Sequence, residues 1–241
     1  MCLDFQKKLK QKGMKKIRAA LFDLDGTLLD TEAQYTRFWS AAGRRWAPQF
    51  PQLAQEIKGT TLTQILDRYF PCREVRDAVT EALDRFESGM TYALYPGAGD
   101  FVRELRANGV RTAIVTSSNR KKMEQMGRQL PAFSALFDRV LTSEDFAASK
   151  PHPDCYLRAA EALDCGVDEC VVFEDAFSGL EAGRRAGIFT VGLPTTNSRE
   201  SIRDKCDYVL EGFEGLTFEA FTGVISTMAE KLTNNNFRSL K

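Results

Sequence analysis

Hydrophobic positions follow two different patterns in the first part of the chain. Residues 17–22 form a short apolar run that ends at a polar turn sequence, which is typical of a buried strand followed by a loop. Over residues 31–92 the apolar positions recur at helical spacing and are interrupted by glycine and proline. The pattern predicts one strand followed by about four short helices.

From residue 97 onward the pattern alternates between helices and strands. Helices are predicted at residues 98–107, 120–129, 154–163 and 178–186, and strands at residues 110–116, 139–142, 170–173, 188–191 and 208–210. Such alternation predicts an α/β fold with a doubly wound parallel sheet. Ligands of these sheets bind beyond the carboxyl ends of the strands, so candidate chemistry is expected there.

The helical segment separates the first strand from its successors, so it is most simply an insertion. We expect a Rossmann-like core formed by residues 17–30 and 94–241, an α-helical cap formed by residues 31–93, and a basic lead-in at residues 1–16. The cap would close over the functional edge of the sheet, with hinges near residues 29–32 and 92–96.

Composition narrows the possible partners. The 241 residues include 33 basic and 33 acidic side chains, so the chain has no net attraction to nucleic acid or to an anionic membrane. It has no apolar run of membrane-spanning length and no signal-peptide pattern at its start. Its six cysteines form no C-x-x-C pair. We therefore expect a cytoplasmic protein, a monomer or weak homo-oligomer, that binds neither nucleic acid nor membranes.

Polar clusters follow four of the predicted strands. Because parallel strands end at the same edge of a sheet, these clusters are expected to converge, although more than a hundred residues separate the first from the last. The clusters are Asp23 with Asp25, Thr116 with Ser117, Ser118 and Asn119, then Lys150, and finally Glu174 with Asp175.

Converging carboxylates favour a divalent cation, because without one they raise each other's pKa. Oxygen ligands of this kind suit Mg²⁺, which also recruits phosphate oxygens, and a lysine with a hydroxyl would complete a phosphoryl site. Asp23 could then accept the phosphoryl group as an aspartyl-phosphate. Asp25 could serve as general acid and base. The pattern predicts phosphoryl transfer to or from a small phosphorylated molecule.

Four motifs in order resemble those of the haloacid dehalogenase (HAD) superfamily of phosphatases and phosphomutases. The segment FDLDGTL at residues 22–28 resembles the first signature. Thr116, Lys150 and the pair at residues 174–175 resemble the second, third and fourth. The resemblance covers about residues 17–210, and four motifs in order make it specific.

The resemblance implies a role for each carboxylate. Asp23 would be the nucleophile and a Mg²⁺ ligand, and Asp25 the acid and base whose backbone carbonyl also binds the metal. Asp175 would bind Mg²⁺ directly, with Glu174 as support through water or as a second ligand. An aspartate at position 25 argues against the dehalogenase branch, which lacks this second acid.

The resemblance also implies a phosphate and substrate site. Thr116, the backbone of Ser117, and Lys150 would hold the transferred phosphoryl group, with Ser118 and Asn119 beside it. Residues 116–119 could also simply cap the N-terminus of the following helix. Helix capping and phosphate binding are compatible, because a helix N-terminus also attracts phosphate.

The cap determines whether water or a second sugar phosphate accepts the phosphoryl group from Asp23. The small-capped branch that the chain resembles contains β-phosphoglucomutase and sugar-phosphate phosphatases, and Lys58 lies in a similar Lys-Gly substrate loop. Leu62, however, stands where an arginine that anchors a second phosphate is expected, and Tyr35 replaces an expected histidine. Both departures favour water as the acceptor. We therefore predict a Mg²⁺-dependent phosphatase acting on a small metabolite, with a sugar phosphate as the expected substrate.

Two other functions stay open. A hexose-phosphate mutase fits the Asp-Thr pair at residues 30–31, the Lys-Gly loop and the Ser-Asn pair at residues 118–119. A catalytically silent phosphate-sensing or partner-binding protein is disfavoured by the intact set of motif residues. The single histidine, His152, argues against a histidine-based metal site or triad, and no dinucleotide or P-loop motif is present. Trp39 and Trp46 are expected to pack inside the cap.

Overall fold

The computed structural model describes residues 16–224, so the lead-in expected at residues 1–16, apart from Lys16, lies outside the described residues. Within that range six strands form one sheet, and every adjacent pair is parallel. The strands are β1 (Ala19–Phe22), β2 (Arg111–Val115), β3 (Arg139–Leu141), β4 (Cys170–Glu174), β5 (Phe189–Gly192) and β6 (Tyr208–Val209).

The strand order is β3-β2-β1-β4-β5-β6, with β1 between β2 and β4. Leu21 pairs with Ala113 on one side and with Val172 on the other. The chain therefore adds strands first on one side of β1 and then on the other, and this reversal opens a crevice at the carboxyl ends of the central strands. The predicted doubly wound parallel sheet is confirmed.

Four helices follow β1, in the number that the sequence predicts. They are α1 (Glu32–Trp46), α2 (Leu53–Glu56), α3 (Leu62–Tyr69) and α4 (Arg73–Ser88). Helix α3 begins at a capping box, in which Thr61 and Gln64 exchange side-chain and backbone hydrogen bonds.

These four helices share an apolar cluster that is separate from those on the sheet. Trp39, Phe70 and Val79 are buried in it, and Trp46 packs against it. The two connections to the sheet run side by side, because the Asp30 N–H donates to the Ala93 carbonyl over 2.9 Å and a backbone bond joins residues 95 and 28. The exact limits of a cap domain at residues 31–93 stay a prediction.

The remaining helices cover both faces of the sheet. They are α5 (Ala98–Ala107), α6 (Arg120–Gln129), α7 (Pro131–Ser134), α8 (Asp154–Ala162), α9 (Phe177–Arg185) and α10 (Arg199–Ile202). On one face Phe101 of α5 packs against Phe173, and on the other Tyr156 of α8 joins a second buried cluster. No helix within residues 16–224 is long and apolar enough to cross a membrane.

Candidate active site

Lys150 lies at the centre of the carboxylates that follow the strands. Its ammonium donates to Asp23 Oδ1 over 2.6 Å, to Glu174 Oε1 over 2.7 Å and to the Val115 carbonyl over 3.1 Å. The side chain is 0% exposed. Burial lowers the pKa of Lys150, but the charges of Asp23 and Glu174 outweigh it and hold that pKa well above its usual value. A fixed positive charge therefore adjoins Asp23.

Glu174 is held on both of its oxygens. Oε1 accepts the Lys150 ammonium and the Tyr156 hydroxyl, the latter over 3.1 Å. Oε2 accepts the backbone N–H groups of Asp175 and Ala176, each over 2.9 Å. A Cβ at Gly179 would lie 1.5 Å from Oε1, so only glycine fits there against the carboxylate. Glu174 thus ties Lys150 to the start of α9.

Asp175 has one satisfied and one unsatisfied oxygen. Oδ1 accepts the Thr27 hydroxyl over 2.8 Å, whereas Oδ2 is buried without a hydrogen-bond partner among the described residues. Carboxylate oxygens of Asp175, Asp23 and Glu174 lie within 4.8 Å of one another. A buried polar atom without a partner is costly, and a divalent cation would supply the missing contact. The donor set therefore fits Mg²⁺.

The pKa values of Asp23 and Asp175 also indicate that this acidic group would gain from a bound cation. Burial raises the pKa of Asp23 to about 8, since the lowering effect of Lys150 only partly opposes burial. Burial, followed by the charges of Glu174 and Asp23, raises the pKa of Asp175 well above its usual value. A bound cation would reverse both shifts, because it favours the ionised carboxylates.

Asp25 lies in a separate hydrogen-bond network. Its Oδ1 accepts the Thr31 hydroxyl over 2.6 Å and its Oδ2 accepts the Ser118 hydroxyl over 3.0 Å. The ammonium of Lys122, a residue of α6, contacts the same Oδ2 and also lies 3.0 Å from the Ser118 hydroxyl. Burial raises the pKa of Asp25, but Lys122 and these hydrogen bonds outweigh burial and lower it. Asp25 is therefore held in its ionised form.

Sequence reasoning missed Lys122. In the segment NRKKM the lysines look like a solvated helix face, yet the Lys122 side chain is 1% exposed. One signal could have found it, because Lys122 and Met126 are four residues apart and so lie on one face of α6, and Met126 is buried.

Tyr35 joins this network from the cap. Its hydroxyl donates to Glu87 Oε1 over 2.8 Å, and the Lys122 ammonium lies 4.5 Å from the centre of its ring. Glu87, a residue of α4, was also missed by sequence reasoning. The site where a histidine is expected thus holds a phenol that connects the cap to Asp25 through Lys122.

The segment at residues 116–119 forms a tight turn into α6. The Ser118 N–H donates to the Thr116 hydroxyl over 3.1 Å. Asn119 is the N-cap of α6, and its side chain accepts the Lys122 N–H over 2.9 Å. The Ser117 hydroxyl donates to the carbonyl of Gly59 over 3.0 Å. The segment thus caps the N-terminus of α6, as one of its two expected roles requires. Its residues also line the cavity between the cap domain and the sheet.

The loop between α2 and α3, together with the first turn of α3, contacts the sheet domain at several points. Besides the bond from Ser117, the Ser178 hydroxyl donates to the Lys58 carbonyl over 3.4 Å, and the Gln64 amide donates to the Lys150 carbonyl over 3.2 Å. The Lys58 ammonium lies 3.1 Å from Glu32 Oε2. Lys58 therefore lines the cavity, but its charge is paired within the cap. Its contact with substrate stays a prediction.

This cavity lies between the cap and the carboxyl ends of the strands. Asp23 and Asp25 form its floor, together with the turn at residues 116–119. The cap contributes apolar and polar side chains to its walls. These are Trp39, Ala54, Ile57, Leu62, Ile65 and Leu83, and Glu32, Tyr35, Thr36, Lys58, Thr60 and Glu87. Trp39, predicted as packing, is buried in the cap and also lines this cavity.

The fold and this site define a HAD-like phosphoryl-transfer enzyme. The family model of the haloacid dehalogenase-like hydrolases matches residues 17–187, and the chain belongs to this family. It is 31% identical over 198 residues to validoxylamine A 7′-phosphate phosphatase of Streptomyces hygroscopicus subsp. limoneus, a match that covers 78% of this chain and 90% of the relative.

A second relative and a solved structure extend the comparison. Hexitol phosphatase A of Escherichia coli is 30% identical over 212 residues, covering 84% of this chain and 94% of that protein. The crystal structure of β-phosphoglucomutase from Clostridium difficile superimposes with a TM-score of 0.70 at 20% identity, covering 89% and 98% of the two chains. At that identity the structure shows the shared fold. The predicted family and the predicted enzyme class are confirmed.

Proposed function

We propose that the protein is a Mg²⁺-dependent phosphatase that hydrolyses a sugar or polyol phosphate through an aspartyl-phosphate on Asp23. One observation carries this proposal. Lys150 holds Asp23 Oδ1 at 2.6 Å, beside a buried oxygen of Asp175 that has no hydrogen-bond partner within the described part of the chain. A nucleophile, a fixed positive charge and a carboxylate oxygen suited to a metal are thereby placed at one strand edge.

Asp23 would form the covalent bond. Asp25, ionised in the free enzyme, takes up a proton as the phosphorylated substrate binds. One of the Asp23 oxygens attacks phosphorus while the bond between phosphorus and the ester oxygen breaks, and the leaving alcohol takes that proton from Asp25. Water then attacks the phosphorus and gives a proton to Asp25 while the bond between phosphorus and the Asp23 oxygen breaks, which releases inorganic phosphate and restores Asp23. The ionised form of Asp25 that Lys122 favours is the form that accepts this proton.

The acidic cluster would hold the metal. Bound Mg²⁺ would neutralise the phosphate oxygens that approach the carboxylates. Asp23 and Asp175 are the proposed side-chain ligands, with the backbone carbonyl of Asp25. Glu174, whose two oxygens already have partners, supports Lys150 and the backbone at residues 175 and 176. Thr116, the Ser117 backbone and Lys150 would hold the transferred phosphoryl group.

The substrate class follows from relatives and cavity together. The names of two relatives specify phosphatases of validoxylamine A 7′-phosphate and of hexitol phosphates. Because Leu62 lies at the cavity and Lys58 is paired with Glu32, an anchor for a second phosphate is weak. A β-phosphoglucomutase-like activity is the second candidate, supported by the shared fold. Water as acceptor is preferred on these grounds.

The test is phosphorus NMR with Mg²⁺, β-glucose 1-phosphate and a trace of glucose 1,6-bisphosphate. We expect inorganic phosphate to accumulate. Glucose 6-phosphate without inorganic phosphate would establish the mutase instead. Asp23→Asn should lower turnover by about 10³-fold or more while the circular dichroism spectrum stays unchanged, since the nucleophile is lost. A variant with wild-type turnover would exclude the aspartyl-phosphate.

We also propose a cellular location for the protein and limits for its cap domain. Five cysteines in the described residues are free thiols, which supports a reducing compartment such as the cytoplasm. The separate apolar cluster of α1–α4 and the paired connections beside residues 30 and 93 support a cap of residues 31–93.

A further inference from the structure

The lysines in and around the active site already have carboxylate partners. Lys150 and Lys122 are buried against the catalytic carboxylates. Lys58, the cation on the cap side, lies 3.1 Å from Glu32 Oε2, and about four-fifths of each of the two side chains is buried. Within residues 16–224, no arginine or histidine lines the cavity. In this part of the chain, therefore, no unpaired cation faces the space beyond the phosphoryl site.

The cap instead presents carboxylates to this space. Glu87 is 8% exposed, lines the cavity, and accepts the Tyr35 hydroxyl on Oε1. Glu32 lines the same wall, but Lys58 balances its charge, so Glu87 is the carboxylate there that forms no ion pair within residues 16–224. Carboxylates accept hydrogen bonds from hydroxyl and ammonium groups, and they repel a second anion. The polar part of the wall is thus suited to a polyol or an amine.

The rest of the cap wall is apolar. Trp39, Ile57, Leu62, Ile65 and Leu83 line it, and most of them are buried in the cap cluster as well. Such a wall packs well against the C–H face of a carbon skeleton. An anion placed there would lose its water without gaining an unpaired cation, which is unfavourable.

We propose that this half of the cavity selects phosphate monoesters whose leaving group carries no second anionic group, namely neutral or amine-bearing polyols. Bisphosphates and phosphorylated carboxylic acids are rejected. This inference rests on the proposed phosphatase function and names the substrate class of that site. It depends on Glu32, Glu87 and Leu62, none of which belongs to the four HAD motifs.

Four esters with one carbon skeleton test the proposal. They are glucose 6-phosphate, glucosamine 6-phosphate, 6-phosphogluconate and glucose 1,6-bisphosphate. With the full chain and Mg²⁺, we expect kcat/KM for each of the first two to exceed that for each of the last two by about tenfold or more, since charge repulsion of this size is typical of desolvated sites. Equal values, or a preference for the anionic pair, overturn the proposal.

Binding separates this inference from the proposed function. Calorimetry of the four esters with Asp23→Asn measures selectivity without turnover, and p-nitrophenyl phosphate reports general hydrolysis by the wild type. If the neutral and amine-bearing esters bind best but nothing is hydrolysed, the proposed function fails and the inference stands. If all four are hydrolysed equally, the function stands and the inference fails.

Substitutions in the cap wall supply a second test. Leu62→Arg adds a cation, so the kcat/KM for 6-phosphogluconate relative to glucose 6-phosphate should rise by about tenfold, as expected of a new ion pair. Leu62→Gln is the uncharged control and should leave that ratio within about twofold. Glu32→Gln, which frees Lys58, should move the ratio in the same direction as Leu62→Arg. An equal response to arginine and glutamine would contradict the charge argument.

Discussion

At the scale of single residues, Lys122 keeps Asp25 ionised. Its ammonium contacts Asp25 and Ser118 and lies over the ring of Tyr35, in a place shielded from water. A buried carboxylate without a countercharge would shift toward its protonated form. Lys122 therefore maintains the proton acceptor that hydrolysis requires, although it lies outside the four motif segments.

Replacing Lys122 with methionine tests this role. Lys122→Met keeps the length and burial of the side chain and removes its charge, so the pKa of Asp25 should rise. We expect kcat for a sugar phosphate to fall by about 10²-fold, within the range of general acid–base catalysis, and the low-pH limb of the rate profile to move to higher pH. The measurement is the pH dependence of kcat and kcat/KM.

Lys121→Met is the matched control. Its lysine is 56% exposed and pairs with Asp84 on the surface, where an ion pair contributes little. The control should keep the wild-type pH profile. If both substitutions lower kcat alike, Lys122 has no special role.

The raised pKa of Asp23 predicts how pH and metal act together. Because the folded protein holds this pKa near 8, far above the usual 3.8, the contribution of Asp23 to stability without metal is complete below about pH 4 and is lost as pH rises through about 8. Mg²⁺ binds the ionised form and removes this loss. The rise in Tm caused by Mg²⁺ should therefore be larger at about pH 8.5 than at about pH 6.

Thermal unfolding with and without Mg²⁺ at the two pH values measures this effect. Asp175→Asn removes a proposed ligand and should abolish most of the rise in Tm at both pH values. A rise of equal size at the two pH values would show that the metal does not compete with protons at Asp23.

At the scale of elements, the loop between α2 and α3 depends on one glycine. Gly59 has a φ of +72°, and a Cβ there would lie 2.4 Å from Ser178 Oγ and 2.8 Å from Ala176 Cβ. The loop approaches the start of α9 this closely because residue 59 has no side chain. The position of Lys58 at the cavity follows from that approach.

Gly59→Ala should therefore displace the loop from the sheet domain. We expect kcat/KM to fall by about tenfold or more, because a small misplacement of a binding loop has large effects on rate. Gly109→Ala is the control, since Gly109 has a similar φ of +76° and a Cβ added there would meet nothing within 4 Å. Both variants should lose about 1–2 kcal/mol of stability from backbone strain, and only Gly59→Ala should lose activity. Equal activities would show that the loop contact is dispensable.

The elements themselves were largely predictable from local pattern. The bounds of α5 and α6 agree with the prediction to the residue, because both helices are about three turns long and show clear periodicity. Helices α7 and α10 were not predicted, since four residues complete barely one turn and give no period. The strands were recognised because their apolar runs lie between turn signals.

At the scale of the whole molecule, the apolar clusters divide the chain into two packing units. Phe70 is buried among the helices α1–α4, whereas Phe101 stacks with Phe213 beside the sheet. Neither cluster contributes residues to the other's buried set. The partly buried Tyr35 and Phe86 pack against both clusters, but the buried residues are distinct, so the cap can lose its packing while the sheet retains most of its own.

Hydrogen exchange of two matched variants tests this division. Phe70→Ala should speed amide exchange in α1–α4 and leave β1 and β4 protected, while Phe101→Ala should speed exchange in the strands. Each truncation is expected to cost about 3–5 kcal/mol in its own unit, because both rings are fully buried. Loss of protection in the strands of Phe70→Ala would mean that cap and sheet unfold together.

The sequence by itself determined the strand and helix pattern, the inserted helices and the four polar clusters at strand ends. These features are local, because side-chain periodicity and turn residues act over a few positions, and the parallel topology then brings the clusters to one edge. Only the tertiary structure decided which charges are paired. Lys122 with Asp25, Lys58 with Glu32, and Tyr35 with Glu87 join different elements. Such pairs depend on how separate elements pack within the cap and around the sheet, which a local sequence pattern does not contain.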